Sequence, residues 1–211
     1  MSQLIACKSK EGIVFGVDGK AVDVDANGNL IELRVDRLHQ MSDYSAVLNG
    51  GAAAGELMCR SLKRFVDEEN LRYVDDIYSA ALPFLATEYE RFMRRTCDIH
   101  PDIHPIDPIH QVTFILGGYT RRGPEAPFHL YLLWTKRKLP LLDSDEISTS
   151  FTVPRIIKLE HRLHQLVQQQ AELDRVTTVV RHEMERLAES NEEVSQPLSY
   201  ACISHEGFKR L

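Results

Sequence analysis

Met1-Ser-Gln-Leu-Ile-Ala-Cys-Lys-Ser-Lys-Glu-Gly-Ile-Val-Phe-Gly-Val-Asp18 opens the chain. Behind Ser2 comes a short apolar run, residues 4–7. A polar turn, 8–11, ends at Gly12, and a second apolar run, 13–17, is β-branched and aromatic. Two such runs joined by a short polar turn with Gly predict a β-hairpin. Position two matters chemically. With Met1 removed, Ser2 carries a hydroxyl and a free α-amino group on one residue, so nucleophile and base come together and a strand holds them.

Working outward, Asp25-Ala-Asn-Gly-Asn29 predicts a tight turn, because Asn27-Gly28 suits positive φ. Residues 30–38 alternate apolar and charged over part of their length and predict a half-buried strand. Residues 45–49 predict another, closed by Gly50-Gly51. The middle is helical. Over 52–69, Leu57, Met58, Leu62, Phe65 and Val66 share one face at spacings of three and four, and 74–95 predicts a second long helix kinked at Pro83. Prolines at 101, 105 and 108 forbid a helix between the two halves, so 98–110 is expected to be an extended loop. Strands return over 112–116 and 129–134. Helices are expected over 154–170 and 173–191, and a last strand over 198–204. Strands and helices are grouped rather than alternating. This predicts an α+β fold in which two antiparallel sheets are covered by helix pairs, in a single domain over 1–211.

The chain has 211 residues, enough for a sizeable core, with 43% hydrophobic and 27% charged residues. A net charge of −6 with no basic block argues against nucleic acid as a partner. No apolar run reaches the roughly 20 residues that span a bilayer, and no basic-then-apolar signal pattern opens the chain. A cytoplasmic protein without membrane contact is therefore expected. Cys7, Cys59, Cys97 and Cys202 form no CxxC pair and read as reduced thiols. His100, His104 and His110 lie in the extended loop and need not converge on a metal. His161 and His164 lack the acidic partner of a helical zinc motif. Arg121-Arg122 and Lys136-Arg137-Lys138 read as solvated loop ends. No metal and no cofactor is expected.

The order and spacing of these features resemble the proteasome β-type subunits of the N-terminal-nucleophile hydrolases, which include bacterial two-ring peptidases. The match runs through Ser2, the strand at 4–7, Gly12, the strand at 13–17 and Asp18, followed by Gly19-Lys20-Ala21. It continues through Arg37, the small-residue segment 45–51, Gly117-Gly118-Tyr119, the strand at 127–134 and the last two helices. The resemblance implies a four-layer αββα sandwich of two antiparallel sheets flanked by helix pairs. It further implies a homo-oligomeric double ring enclosing a chamber, a peptide or unfolded-protein substrate, and an AAA+ unfoldase as partner.

For the site, the resemblance implies Ser2 as nucleophile, Asp18 orienting a basic residue, and Arg37 in the place where the family has Lys. The Gly51 N–H is implied as oxyanion donor, Ser190 as a supporting hydroxyl, and Asn49 and Ala53 as walls of the substrate pocket. Arg34 and Lys20 are the other nearby bases. The family's Asp three residues before the supporting Ser falls on Leu187, with Glu189 and Glu192 nearby. The family's Ser-bearing turn before the third helix falls on Ser148-Thr-Ser150. An Arg keeps its proton, so it supplies charge beside Ser2 rather than a shuttle. Two functions follow: a peptidase working through Ser2, or a catalytically silent subunit of the same fold that serves ring assembly.

Overall fold

The computed structural model describes residues 2–24, 29–97, 110–123, 127–136 and 141–211. The Asn27-Gly28 turn, His100, His104, Pro124 and Arg137-Lys138 lie outside the described residues.

The chain begins with five short strands: β1 (Leu4–Lys8), β2 (Ile13–Val17), β3 (Lys20–Val24), β4 (Leu30–Arg34) and β5 (Leu38–Ser42). Then come β6 (Ser45–Gly51) and the helices α1 (Ala54–Glu68) and α2 (Val74–Cys97). The second half repeats the grouping. Strands β7 (Val112–Tyr119), β8 (Phe128–Thr135), β9 (Leu142–Glu146) and β10 (Ser150–Val153) precede α3 (Ile157–Gln168) and α4 (Leu173–Ser190). Strands β11 (Ser199–Ser204) and β12 (Gly207–Arg210) end the fold. One five-stranded sheet has the order β10-β1-β2-β11-β12, a second β5-β6-β7-β8-β9, and β3 pairs with β4 in a two-stranded ribbon. Every recorded strand pair is antiparallel, so the fold class is α+β.

The unbroken apolar runs at the start have a simple cause: the strands they form are buried on both faces. Along β1, Leu4 and Ala6 join one core cluster while Ile5 and Cys7 join another. Along β2, Ile13, Phe15 and Val17 go one way and Val14 the other. The period of two sends alternate side chains to opposite faces. The cluster of Leu4, Ile13 and Phe15 also takes Leu38, Leu48, Ile115 and Leu130 from the β5–β9 sheet. The cluster of Ile5 and Val14 takes Leu163, Val176, Val180 and Met184 from α3 and α4. A third cluster packs Met58, Leu62, Ile77 and Tyr89 of α1 and α2 on Val47, Phe114 and Leu116.

Three expectations change. Leu57 does not share the buried face of α1: it is 65% exposed, while Met58, Cys59, Leu62 and Val66 are buried. Gly50 and Gly51 do not lie beyond the strand at 45–49; they are its last two residues, paired with Thr113 and Val112. The stretch 30–38 is not one strand but the end of a ribbon and the start of a sheet, since Asp36 breaks it by capping the Leu38 N–H at 3.2 Å. Helix α2 continues through Pro83. Among the described residues, no helix is long and apolar enough to cross a membrane.

Candidate active site

The β1–β2 hairpin places Asp18 opposite Gln3, the neighbour of Ser2, because residues just before β1 and just after β2 lie opposite each other in an antiparallel pair. The register ends at Leu4 opposite Val17. The Gln3 N–H donates to Asp18 Oδ1 at 2.8 Å, and the Asp18 N–H donates back to the Gln3 carbonyl at 3.2 Å. The Lys20 N–H reaches Asp18 Oδ2 at 3.4 Å, and the Ser195 N–H adds to the same carboxylate. Asp18 is 1% exposed. Burial raises its carboxyl above the ordinary value, against the pull of the Gln3 N–H, the Arg37 charge and the other two amides.

Strand β6 brings the second half of the site. Its last residue, Gly51, donates its N–H to Ser2 Oγ at 3.2 Å. Gly51 has φ +85°, and a Cβ there would come within 2.1 Å of the Gln111 carbonyl oxygen. Only glycine fits that backbone. Arg37, just before β5, is 1% exposed. Its guanidinium donates to the carbonyls of Lys20 (2.6 Å from Nη2 and 3.0 Å from Nε), Asn49 (3.2 Å) and Gly51 (3.1 Å). Burial lowers its pKa to about 10 while the Asp18 charge opposes the fall, so the group stays protonated at neutral pH.

Ser2, Arg37 and Gly51 line a cleft of about 400 Å³, with Lys20, Ala21 and Val22 of β3 along one side and Val153 and Pro154 along another. Thus Ser2, Asp18, Arg37 and Gly51 come together. The other expected residues do not join them. Ser190 is the exposed last residue of α4, its hydroxyl donating to the Arg186 carbonyl at 2.8 Å. The segment that does reach Asp18 is the turn after α4: Ser195 donates to the carboxylate, its carbonyl accepts the Gly19 N–H at 3.4 Å, and Pro197 packs on Gly19. Glu192 stands three residues before Ser195, the acid-x-x-Ser spacing that could have shown the register in the sequence. Its carbonyl accepts the Lys20 ammonium at 3.2 Å.

Asn49 is fully buried and does not line the cleft; its Oδ1 lies 3.2 Å from His39 Nε2, and its amide nitrogen has no hydrogen-bond partner among the described residues. Burial lowers the pKa of that histidine, against the charge of Asp36. Ala53 is the residue before α1, half-buried and outside the cleft lining. Arg34 is exposed on β4. Ser148-Thr-Ser150 does not reach the cleft: Ser150 starts β10 and bonds the Glu160 carbonyl, and the chain meets Ser2 only at Val153-Pro154. No hydroxyl turn stands there. A strand ending in Pro before a helix was the signal for that wall. Among the described residues, no group of three His, Cys, Asp or Glu is placed to hold a metal ion.

Comparison of the chain with protein-family models and with curated proteins finds no match.

Proposed function

We propose that the chain is a proteasome-like peptidase subunit whose nucleophile is the hydroxyl of Ser2, exposed by removal of Met1. The observation that carries this reading is the Gly51 N–H at 3.2 Å from Ser2 Oγ, at the wall of a cleft bounded by β3. Ser2 Oγ attacks a peptide carbonyl, and its proton passes to the Ser2 α-amino group. The oxyanion takes the Gly51 N–H in place of the resting hydroxyl. The α-ammonium returns that proton to the leaving nitrogen, the C–N bond breaks to release the amine, and the ester left on Ser2 is hydrolysed by water. The buried charge of Arg37 favours the unprotonated amine. Strand β3 has β4 as its one recorded strand partner among the described residues, so its free edge suits an extended peptide laid beside Ser2.

The same reading carries the finer architecture. The three core clusters support a single-domain, four-layer αββα sandwich, with helix pairs outside two facing sheets. A homo-oligomeric double ring, an AAA+ unfoldase partner and a cytoplasmic setting belong to it as well. The test is peptide hydrolysis by the purified protein with and without Ser2→Ala: loss in the variant is expected, and equal activity in both rejects Ser2 as nucleophile.

A second reading, a catalytically silent ring element, is favoured by Val153-Pro154, which puts apolar groups where a hydroxyl turn is expected. The mass of the mature N-terminus separates the two. Retained Met1 blocks the amine and supports the silent element; processed Ser2 supports the peptidase.

A further inference from the structure

Arg37 differs from a simple positive charge in what its donors do. A charge that acts through space needs no particular hydrogen-bond partners. This guanidinium makes four recorded bonds, and all end on main-chain carbonyls: Lys20 twice, Asn49 and Gly51. Asn49 and Gly51 flank the Gly50–Gly51 peptide, the unit whose N–H points at Ser2 Oγ. Lys20 starts the strand that borders the cleft. Arg37 is itself fixed from behind. Its carbonyl accepts the Asn49 N–H at 3.0 Å, and the Val35 N–H bonds the Gly19 carbonyl at 3.0 Å. On the far side of Gly51, the Ala52 N–H is held by the Gln111 carbonyl at 2.8 Å.

We infer that Arg37 is a positioning residue: its planar fork clamps the carbonyls of Asn49 and Gly51, aims the intervening Gly51 N–H at the oxyanion position, and ties β3 to β6 so that cleft wall and donor keep one geometry. The inference rests on the peptidase reading above and goes further, since it assigns the arginine a geometric task that a lysine cannot perform. A lysine keeps the charge but offers one nitrogen, which cannot reach three carbonyls in two strands with the same planarity.

Arg37→Lys separates fork from charge. With the charge retained, the acidic limb of kcat/KM, where the Ser2 amine loses its proton, should stay where it is and KM should change little. The loss of an aligned oxyanion donor should lower kcat about 10²-fold. Activity within about threefold of the unmodified protein, in a preparation where Ser2→Ala is inactive, would overturn the clamp. A moved pH limb with unchanged kcat would overturn it too, since that outcome assigns Arg37 a charge role only. A second measurement needs neither turnover nor a folded variant. In the unmodified protein at neutral pH, a clamped guanidinium shows separate Nη1 and Nη2 proton resonances, because rotation about the Cζ–N bonds is blocked. A single averaged signal for Arg37 contradicts the clamp even if the peptidase reading stands. If Ser2→Ala leaves hydrolysis intact, the peptidase reading fails on its own account, and the resonance pattern still decides the clamp.

Discussion

Gly51 has no room for a side chain. Its positive φ and the Gln111 carbonyl at 2.1 Å from a built Cβ make Gly51→Ala a backbone problem rather than a packing one. Since strain at such positions costs about 1–3 kcal/mol, denaturant unfolding of Gly51→Ala should show a loss of that order. Peptide hydrolysis should fall with it, because the N–H moves. Asp18 makes a different prediction. Burial raises its folded-state pKa above the unfolded value, so its contribution to stability is fully present below about 3.9 and declines as pH rises through the folded pKa. Urea unfolding across that window should therefore show the stability of the unmodified protein falling relative to Asp18→Asn as pH rises. A gap that widens in favour of the unmodified protein would mean that the amides and Arg37 outweigh burial.

At the scale of elements, the turn between β10 and α3 is held by one buried carboxylate. Glu160 Oε1 accepts from the Thr152 N–H at 2.9 Å and the Thr152 hydroxyl at 2.8 Å, and Arg155 grips the same group, with Nη2 to Oε2 at 2.6 Å. The Thr152 hydroxyl in turn accepts the Ile156 N–H at 2.6 Å. Glu160→Ala leaves the buried Thr152 N–H unpaired and should cost about 1–3 kcal/mol in thermal or denaturant unfolding. Because Val153-Pro154 is the cleft wall that this turn supports, KM for peptide should rise as well.

The elements that could be read from the sequence are those whose side chains decide their own face. The hairpin of β1 and β2, the strand pair β7–β8 and the buried stripes of α1 and α4 stand in the sequence as apolar periodicity. Strand β3 was hidden because Lys20–Val24 is too short and mixed to show a period, and β9, Leu-Asp-Ser-Asp-Glu, reads as a polar loop. Its strand character comes from pairing with β8. The site divides the same way. Ser2, Asp18, Arg37 and Gly51 sit at strand ends, and the resemblance picks them out by their spacing from those strands. Ser195 and Val153-Pro154 arrive through turns whose reach depends on tertiary packing, so the resemblance points to Ser190 and Ser148-Thr-Ser150 there instead.

At the scale of the molecule, the ring reading needs faces that other copies cover. Leu57 on α1 and Ile157 at the start of α3 are 65% and 75% exposed, the largest exposures among the large apolar side chains of the described residues. If rings form through these faces, Leu57→Asp and Ile157→Asp should each lower the sedimentation coefficient toward that of one 24.1 kDa chain. Unchanged sedimentation in both would place the contacts elsewhere.

The central claim is that Ser2 is a free N-terminal nucleophile. It is tested most directly by mass spectrometry of the N-terminal peptide after the purified protein has reacted with an electrophilic peptide probe. The account predicts a peptide that begins at Ser2 and carries the probe on that residue. A peptide that keeps Met1 and carries no probe would contradict it.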